Sequence, residues 1–184
     1  MIPEARLEQT EHGLVPQGEG WFVVNARDRA WRHAEGRAAL CSFEGEPQFP
    51  QIGIHLSVLE PGQILAMYHW EDDQEDFLVL AGEALLLVEG QERPLRAWDF
   101  VHCPARTNHT IVGAGTGPSI VLAVGAREAT EEWGAYTVDE AAQRHGAGVQ
   151  EETADEKLAY AGLNWRTPVR YRDGWLPDLP AGRS

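Results

Sequence analysis

Positive charge is scarce in this chain of 184 residues, which has 15 lysines and arginines against 29 aspartates and glutamates. The formal net charge is −14. Binding to nucleic acid or to an anionic membrane requires basic surface, so the composition argues against both kinds of partner. The expected partner is a small molecule or another protein.

Cysteines and long apolar segments are also few. Cys41 and Cys103 lie far apart and form no C-x-x-C pattern, so we predict buried thiols rather than a disulfide framework or a zinc knuckle. No window approaches the ~18 apolar residues that a membrane span needs. The first residues lack a basic segment that leads into an apolar one. These absences predict a soluble, cytoplasmic protein.

The length corresponds to one typical domain with extensions. From residue 49 onward, short alternating apolar segments are separated by turn signals, which is typical of an antiparallel sandwich or barrel. We predict an N-terminal arm with cover strands over residues 1–48 and a barrel core over residues 49–126. A helical C-terminal extension and strap follow over residues 127–184. The segment 137–140 has the capping-box pattern, with Thr137 as the N-cap of a helix.

The clearest chemical signal is the acidic segment 69–75, followed at a distance by His109. Imidazole nitrogens and carboxylates together suit a divalent first-row transition metal ion. A strand predicted over residues 63–71 would place alternate side chains on one face, with Leu65 and Met67 before the two polar ones. We therefore predict a metal site with four candidate ligands: His69, Glu71, Glu75 and His109.

Two other patterns leave alternatives open. Arg27, Arg29, Arg32 and Arg37 concentrate positive charge near the N-terminus; we favour ion pairs with the acidic surface over an anion-binding patch. In the alternating segment 52–58, His55 lies on the face opposite the apolar one. We predict that His55 is structural or exposed.

Residues 62–82 and 98–113 resemble the two motifs of the cupin superfamily. The matching positions are Gly62, His69, Glu71, Glu75 and Gly82 in the first motif and Asp99, Pro104 and His109 in the second. The resemblance implies an all-β, jelly-roll-like double-stranded β-helix with a metal inside the barrel. The sequence departs from the usual pattern at Trp98 and Arg106, where glycines are common, and at Glu71, which occupies the place of a second histidine.

The departure at Glu71 leaves its role open between a fourth metal ligand and a free general base beside a three-ligand ion. Manganese, iron and zinc all fit the candidate ligands. Side chains that share faces with these ligands predict an apolar pocket wall for a small, partly apolar ligand: Met67, Phe77, Val79 and Ile111. The open sheet edges of a small barrel predict a homodimer.

Function has to be argued from the site, because one fold hosts many activities. The first hypothesis is a metal-dependent enzyme that acts on a small oxygenated molecule such as a sugar, a keto acid or a phenolic compound. Dioxygenase chemistry and isomerase or lyase chemistry both fit, with Glu71 or a bound water moving the proton. The alternative is a non-catalytic protein that uses a metal to bind a carbohydrate-like small molecule.

Overall fold

The computed structural model describes residues 1–128 and 133–178. Within them the chain is mostly β-structure, as predicted. The strands are β1 (Arg6–Thr10), β2 (Gly13–Gln17), β3 (Trp31–His33), β4 (Ala39–Ser42), β5 (Ile52–Leu59), β6 (His69–Glu71), β7 (Glu75–Ala81), β8 (Glu83–Val88), β9 (Gln91–Arg96), β10 (Phe100–Cys103), β11 (His109–Ala114), β12 (Ser119–Ala126), β13 (Gly134–Tyr136) and β14 (Thr167–Val169).

The helices are short: a 3-10 turn (Ala26–Asp28), α1 (Glu140–Arg144) and α2 (Glu156–Ala159). No helix in the described ranges has the length and apolar character to cross a membrane. The N-cap of α1 is Asp139, whose carboxylate accepts a hydrogen bond from the Ala142 amide at 2.8 Å. The prediction of Thr137 as the cap was wrong, because the Thr137 amide donates instead to the Tyr68 carbonyl as β13 ends.

Two antiparallel sheets face each other. One has seven strands in the order β10-β7-β12-β5-β4-β3-β14, and the other has five in the order β13-β6-β11-β8-β9. The hairpin of β1 and β2 forms a separate two-stranded sheet. β3 and β4 from the predicted arm and β14 from the predicted extension therefore add three strands to the larger sheet.

The barrel interior lies between the two sheets. Alternate side chains of β7, β8, β11 and β12 point into it, in keeping with the period of two along a strand. The main residues of this cluster are Leu59, Phe77, Val79, Leu86, Ile111 and Val121.

The outer face of the seven-stranded sheet is also buried, which decides the orientation of β5. Leu56 and Val58 pack outward with Trp31 against the C-terminal residues Tyr171 and Trp175. His55 instead pairs with Ala123 of β12, a residue of the interior cluster. Since the C-terminal segment covers the apolar face of β5, His55 faces the interior, and the prediction that it is structural or exposed holds in its structural alternative.

The outer face of the five-stranded sheet packs against the C-terminal extension. Leu87 and Val112 contact a cluster that includes Ala142 of α1 and Ala159 of α2. Tyr160 follows α2, and its hydroxyl accepts a hydrogen bond from the Met67 amide at 3.1 Å. The extension is thus part of the packed structure beside the segment that leads to β6.

Trp98 and Arg106 adopt left-handed backbone conformations, with φ of 76° and 67°. Residues other than glycine adopt the left-handed conformation at a cost of about 1–2 kcal/mol. Both residues stand where the cupin motifs commonly carry glycine. The turns therefore keep a glycine-like backbone although the glycines are absent.

Candidate metal centre

Three strands begin with a residue of the candidate centre. His69 begins β6, Glu75 begins β7 and His109 begins β11. β6 and β11 are neighbours in one sheet, with His69 and His109 directly opposite each other. β7 belongs to the facing sheet, so Glu75 reaches the two imidazoles from across the barrel.

The three side chains converge on one point. One ligand atom from each of His69, Glu75 and His109 lies within 4.8 Å of the others. The Glu75 Oε2 atom is 3.0 Å from His109 Nε2 and 3.6 Å from His69 Nε2. This spacing is close enough for a single metal ion to be held by all three residues.

The Nδ1 atom of each imidazole forms a hydrogen bond with a backbone carbonyl. His69 Nδ1 donates to the Met67 carbonyl at 2.7 Å, and His109 Nδ1 donates to the Thr107 carbonyl at 2.8 Å. Because Nδ1 is used in this way, the Nε2 atom of each ring is directed at Glu75. A metal-binding histidine is usually oriented by this kind of hydrogen bond from its other nitrogen.

The three groups also shift one another's pKa values. Burial alone would lower the pKa of His109, but the neighbouring Cys103 and Glu75 raise it to about 10. The pKa of His69 is also raised, because Glu71 and Glu75 outweigh the effect of burial. Burial alone would raise the pKa of Glu75, yet the two histidines hold it well below its usual range. The centre therefore favours a positive charge beside the Glu75 carboxylate.

Glu71 lies next to this group of three rather than within it. Its Oε1 atom is 3.4 Å from His69 Nε2, but it is not among the residues whose ligand atoms all converge. The Glu71 side chain is 32% exposed, compared with 13% for Glu75. The geometry separates one buried carboxylate from one that faces solvent.

The predicted pocket residues divide into two groups. Phe77, Val79 and Ile111 lie in the barrel interior, and the Phe77 ring centroid is 5.3 Å from that of His109. Met67 instead packs in the outer cluster beneath the C-terminal extension. The strand predicted over residues 63–71 is regular only at His69–Glu71, so the period of two does not extend back to Met67.

Sequence reasoning missed the aromatic residues beside His69. Tyr136 of β13 is directly opposite His69 in register, with ring centroids 5.8 Å apart. The Trp133 ring centroid is 6.3 Å from that of His69. The pKa of Tyr136 is raised, chiefly by burial, so its phenol keeps its proton. No sequence signal connects β13 with β6, because the pairing joins residues more than sixty positions apart.

Cys103 and His102 are adjacent residues of β10 whose side chains point in opposite directions. Cys103 is buried and lies opposite Glu75 in the pairing of β10 with β7. His102 points outward, where its Nδ1 atom lies 2.6 Å from Asp76 Oδ1. His102 is therefore not a neighbour of the candidate ligands.

The comparison with known families identifies the class of this barrel. Residues 55–125 match the family model described as Cupin domain. This segment is similar to the cupin domain, and the two facing sheets form a double-stranded β-helix. The resemblance to the cupin motifs and the predicted fold are both confirmed.

Two solved structures with a TM-score above 0.5 agree on the fold, and a third resembles part of the chain with a lower score. A predicted oxalate decarboxylase from Thermotoga maritima has a TM-score of 0.51 at 19% identity, covering 57% of this chain and 98% of that one. The polyketide cyclase RemF from Streptomyces resistomycificus has a TM-score of 0.51 at 13% identity, covering 58% and 79%. A sugar phosphate isomerase of the cupin superfamily from Silicibacter pomeroyi has a TM-score of 0.46 at 22% identity, covering 61% and 82%. No curated protein matches the chain.

Proposed function

We propose that this chain is a metal-dependent enzyme that acts on a small oxygenated molecule, with His69, Glu75 and His109 as ligands of a divalent metal ion. The supporting observation is the convergence of two Nε2 atoms and a carboxylate within 4.8 Å, with both imidazoles oriented through Nδ1. Two imidazoles and a carboxylate suit manganese, iron or zinc. Three protein ligands leave further positions open for a substrate.

Glu71 is the proposed general base. A metal ion at the three ligands would polarise the substrate oxygens and acidify nearby protons. The Glu71 carboxylate, beside His69 and partly exposed, can accept such a proton and pass it to solvent. As a free base rather than a fourth ligand, Glu71 keeps both of its oxygens available for the transfer.

The surroundings define the shape of the substrate site. Phe77, Val79 and Ile111 form an apolar wall inside the barrel. Trp133 and Tyr136 lie beside His69, whose imidazole is buried. A substrate with two oxygens for the centre and an apolar portion for the wall fits this arrangement.

Elemental analysis of the protein purified without added metal or chelator tests the ligands. We expect about one divalent metal ion per chain, as the one group of converging ligands in residues 1–128 and 133–178 implies, and loss of that metal in His69→Ala. His102→Ala is the matched control, since His102 pairs with Asp76 outside the group. A full equivalent of metal in His69→Ala, or equal loss in both variants, would remove the site from consideration.

The catalytic part of the proposal is tested with the metal-loaded protein and a panel of sugars, keto acids and phenolic compounds. We expect turnover of at least one compound, and Glu71→Gln should lose turnover while it retains metal. If no compound is turned over but some bind to the metal-loaded protein, the non-catalytic binding protein replaces the enzyme. If Glu71→Gln loses the metal as well, Glu71 is a ligand rather than the base.

We also propose that the protein forms a homodimer. β10 is an edge of the seven-stranded sheet, and Trp98 and Phe100 on this edge are exposed. Exposed apolar residues on an open edge favour pairing with a second copy. Sedimentation velocity should give a dimer for the wild-type protein and a monomer for Phe100→Glu; a wild-type monomer would contradict the proposal.

A further inference from the structure

Two arginines from distant parts of the chain lie together beside the barrel. Arg37 precedes β4 and is 5% exposed, and Arg166 immediately precedes β14. Arg37 Nη1 donates to the Asn164 carbonyl at 3.2 Å, and Arg166 Nε donates to the Ala38 carbonyl at 2.8 Å. Each guanidinium thus binds the backbone next to the other arginine.

The pair has no counter-charge in the described part of the chain. No carboxylate there forms an ion pair with Arg37 or Arg166; the other contacts are the Leu65 carbonyl, bound by Arg166 at 3.2 Å, and the Tyr160 ring, 4.6 Å from Arg37. The ion pairs predicted for Arg37 from the sequence are therefore absent. Burial and the neighbouring Arg37 lower the pKa of Arg166 to about 10. Two like charges taken partly out of water are costly unless an anion compensates them.

Arg29 is a buried arginine of this protein whose guanidinium binds backbone carbonyls, and it serves as a comparison for Arg37. Its Nε atom donates to the Ser42 carbonyl at 3.1 Å, and its Nη2 atom donates to the Ser42 and Glu44 carbonyls at 2.6 and 2.8 Å. Its Nη1 atom donates to the Leu14 carbonyl. All three nitrogens are satisfied by backbone. Arg37 differs, because its buried Nε atom has no hydrogen-bond partner.

We propose that Arg37 and Arg166 form a binding site for an oxyanion, either the phosphate or the carboxylate group of a small molecule. A guanidinium presents donors in a planar fork that matches two oxygens of such a group. The unpartnered Arg37 Nε would gain an acceptor, and the anion would neutralise the paired charges. Asn164, whose carbonyl accepts from Arg37, and the adjacent Trp165 are exposed, so the site lies near the surface.

The site adjoins the barrel interior but does not depend on the metal ligands. The charges of both Glu75 and Arg166 act on the pKa of His55, which burial lowers. His55 points into the interior from β5, so the interior around it borders both groups. An anionic substituent could therefore be held at the arginines whether or not a metal is bound.

The first test follows the arginine side-chain Nε resonances of the wild-type protein by NMR. Sodium phosphate and sodium acetate are added separately at constant ionic strength, with sodium chloride as the reference. We expect the Arg37 Nε resonance to shift with one of the two oxyanions and the Arg29 resonance to stay in place. The responding salt identifies phosphate or carboxylate as the ligand class. No shift of Arg37 with either salt, or the same shift with chloride, would overturn the proposal.

The second test measures the affinity for the responding anion by calorimetry. Because charge-assisted hydrogen bonds are stronger than neutral ones, Arg37→Gln should bind the anion at least about tenfold more weakly. Arg170→Gln is the matched control, because Arg170 is exposed on the same C-terminal segment and donates to the Glu11 carbonyl, away from Arg37. Unchanged affinity in Arg37→Gln would overturn the proposal.

The same titration of His69→Ala separates this site from the metal centre. We expect unchanged affinity there, since the arginines do not contact His69. Loss of binding in His69→Ala with retention in Arg37→Gln would place the anion at the metal instead. If Arg37→Gln does not fold, the wild-type Nε titration decides the question alone.

Discussion

Replacing Glu75 by glutamine in the metal-free protein should change how stability depends on pH. The Glu75 Oε2 atom contacts His109 at 3.0 Å and His69 at 3.6 Å, and all three side chains are largely buried. Removing the negative charge leaves two buried imidazoles without their carboxylate. Burial then favours the neutral form of His109.

The size of the effect follows from the pKa of His109, which is raised from 6.5 to about 10. At about 1.4 kcal/mol per pH unit, this difference corresponds to roughly 5 kcal/mol. Because the pKa is raised in the folded state, the stabilisation is complete below pH 6.5 and is lost as the pH rises through about 10. The unfolding free energy of the wild-type protein should therefore fall by about 3 kcal/mol between about pH 6.5 and pH 9. Glu75 has the opposite pH dependence. Because its pKa is lowered in the folded state, its contribution to the unfolding free energy is lost as the pH falls below 4.5.

Urea unfolding of the chelator-treated protein at several pH values measures this dependence. We expect the decrease between pH 6.5 and 9 to be smaller in Glu75→Gln than in the wild-type protein, since Cys103, which also raises the pKa of His109, is still present. Asp76→Asn is the matched control, because Asp76 is the next residue of β7 and pairs with the exposed His102; it should keep the wild-type dependence. The same decrease in wild type and Glu75→Gln would refute the coupling.

Three further predictions concern the centre, the outer packing and a thiol. Glu75→Gln should weaken metal binding more than Glu71→Gln in competition with a chelator, because Glu75 contacts both imidazoles; the reverse order would make Glu71 the stronger ligand. Trp31→Ala should cost about 3–5 kcal/mol in urea unfolding, since Trp31 is fully buried against Tyr171 and Trp175; a loss under about 1 kcal/mol would contradict that packing. Burial raises the pKa of Cys41 to about 12, so this thiol should react with a disulfide reagent only after unfolding, and rapid labelling in the folded protein would contradict it.

Local spacing was enough to predict the barrel and the residues at its candidate centre. His69 and Glu75 lie six positions apart on two strands joined by a short turn, and His109 begins a strand of its own. Spacing of this kind is set by strand length and turn geometry, both of which are local properties of the sequence. The predicted all-β fold and the resemblance to the cupin motifs both depended on it. The metal itself and the role of Glu71 remain predictions.

The tertiary structure decided which faces are inside. Alternation along β5 distinguishes two faces, but Trp175 and its neighbours bury the apolar face from outside, which leaves His55 pointing inward. Met67 lies in an irregular segment, so alternation carried no information about its direction. Tyr136 reaches His69, and Arg166 reaches Arg37, only through pairings between distant segments. The sequence by itself therefore determined the strands and the motif spacing, whereas long-range packing determined what surrounds the site, because contacts between distant segments leave no periodic pattern.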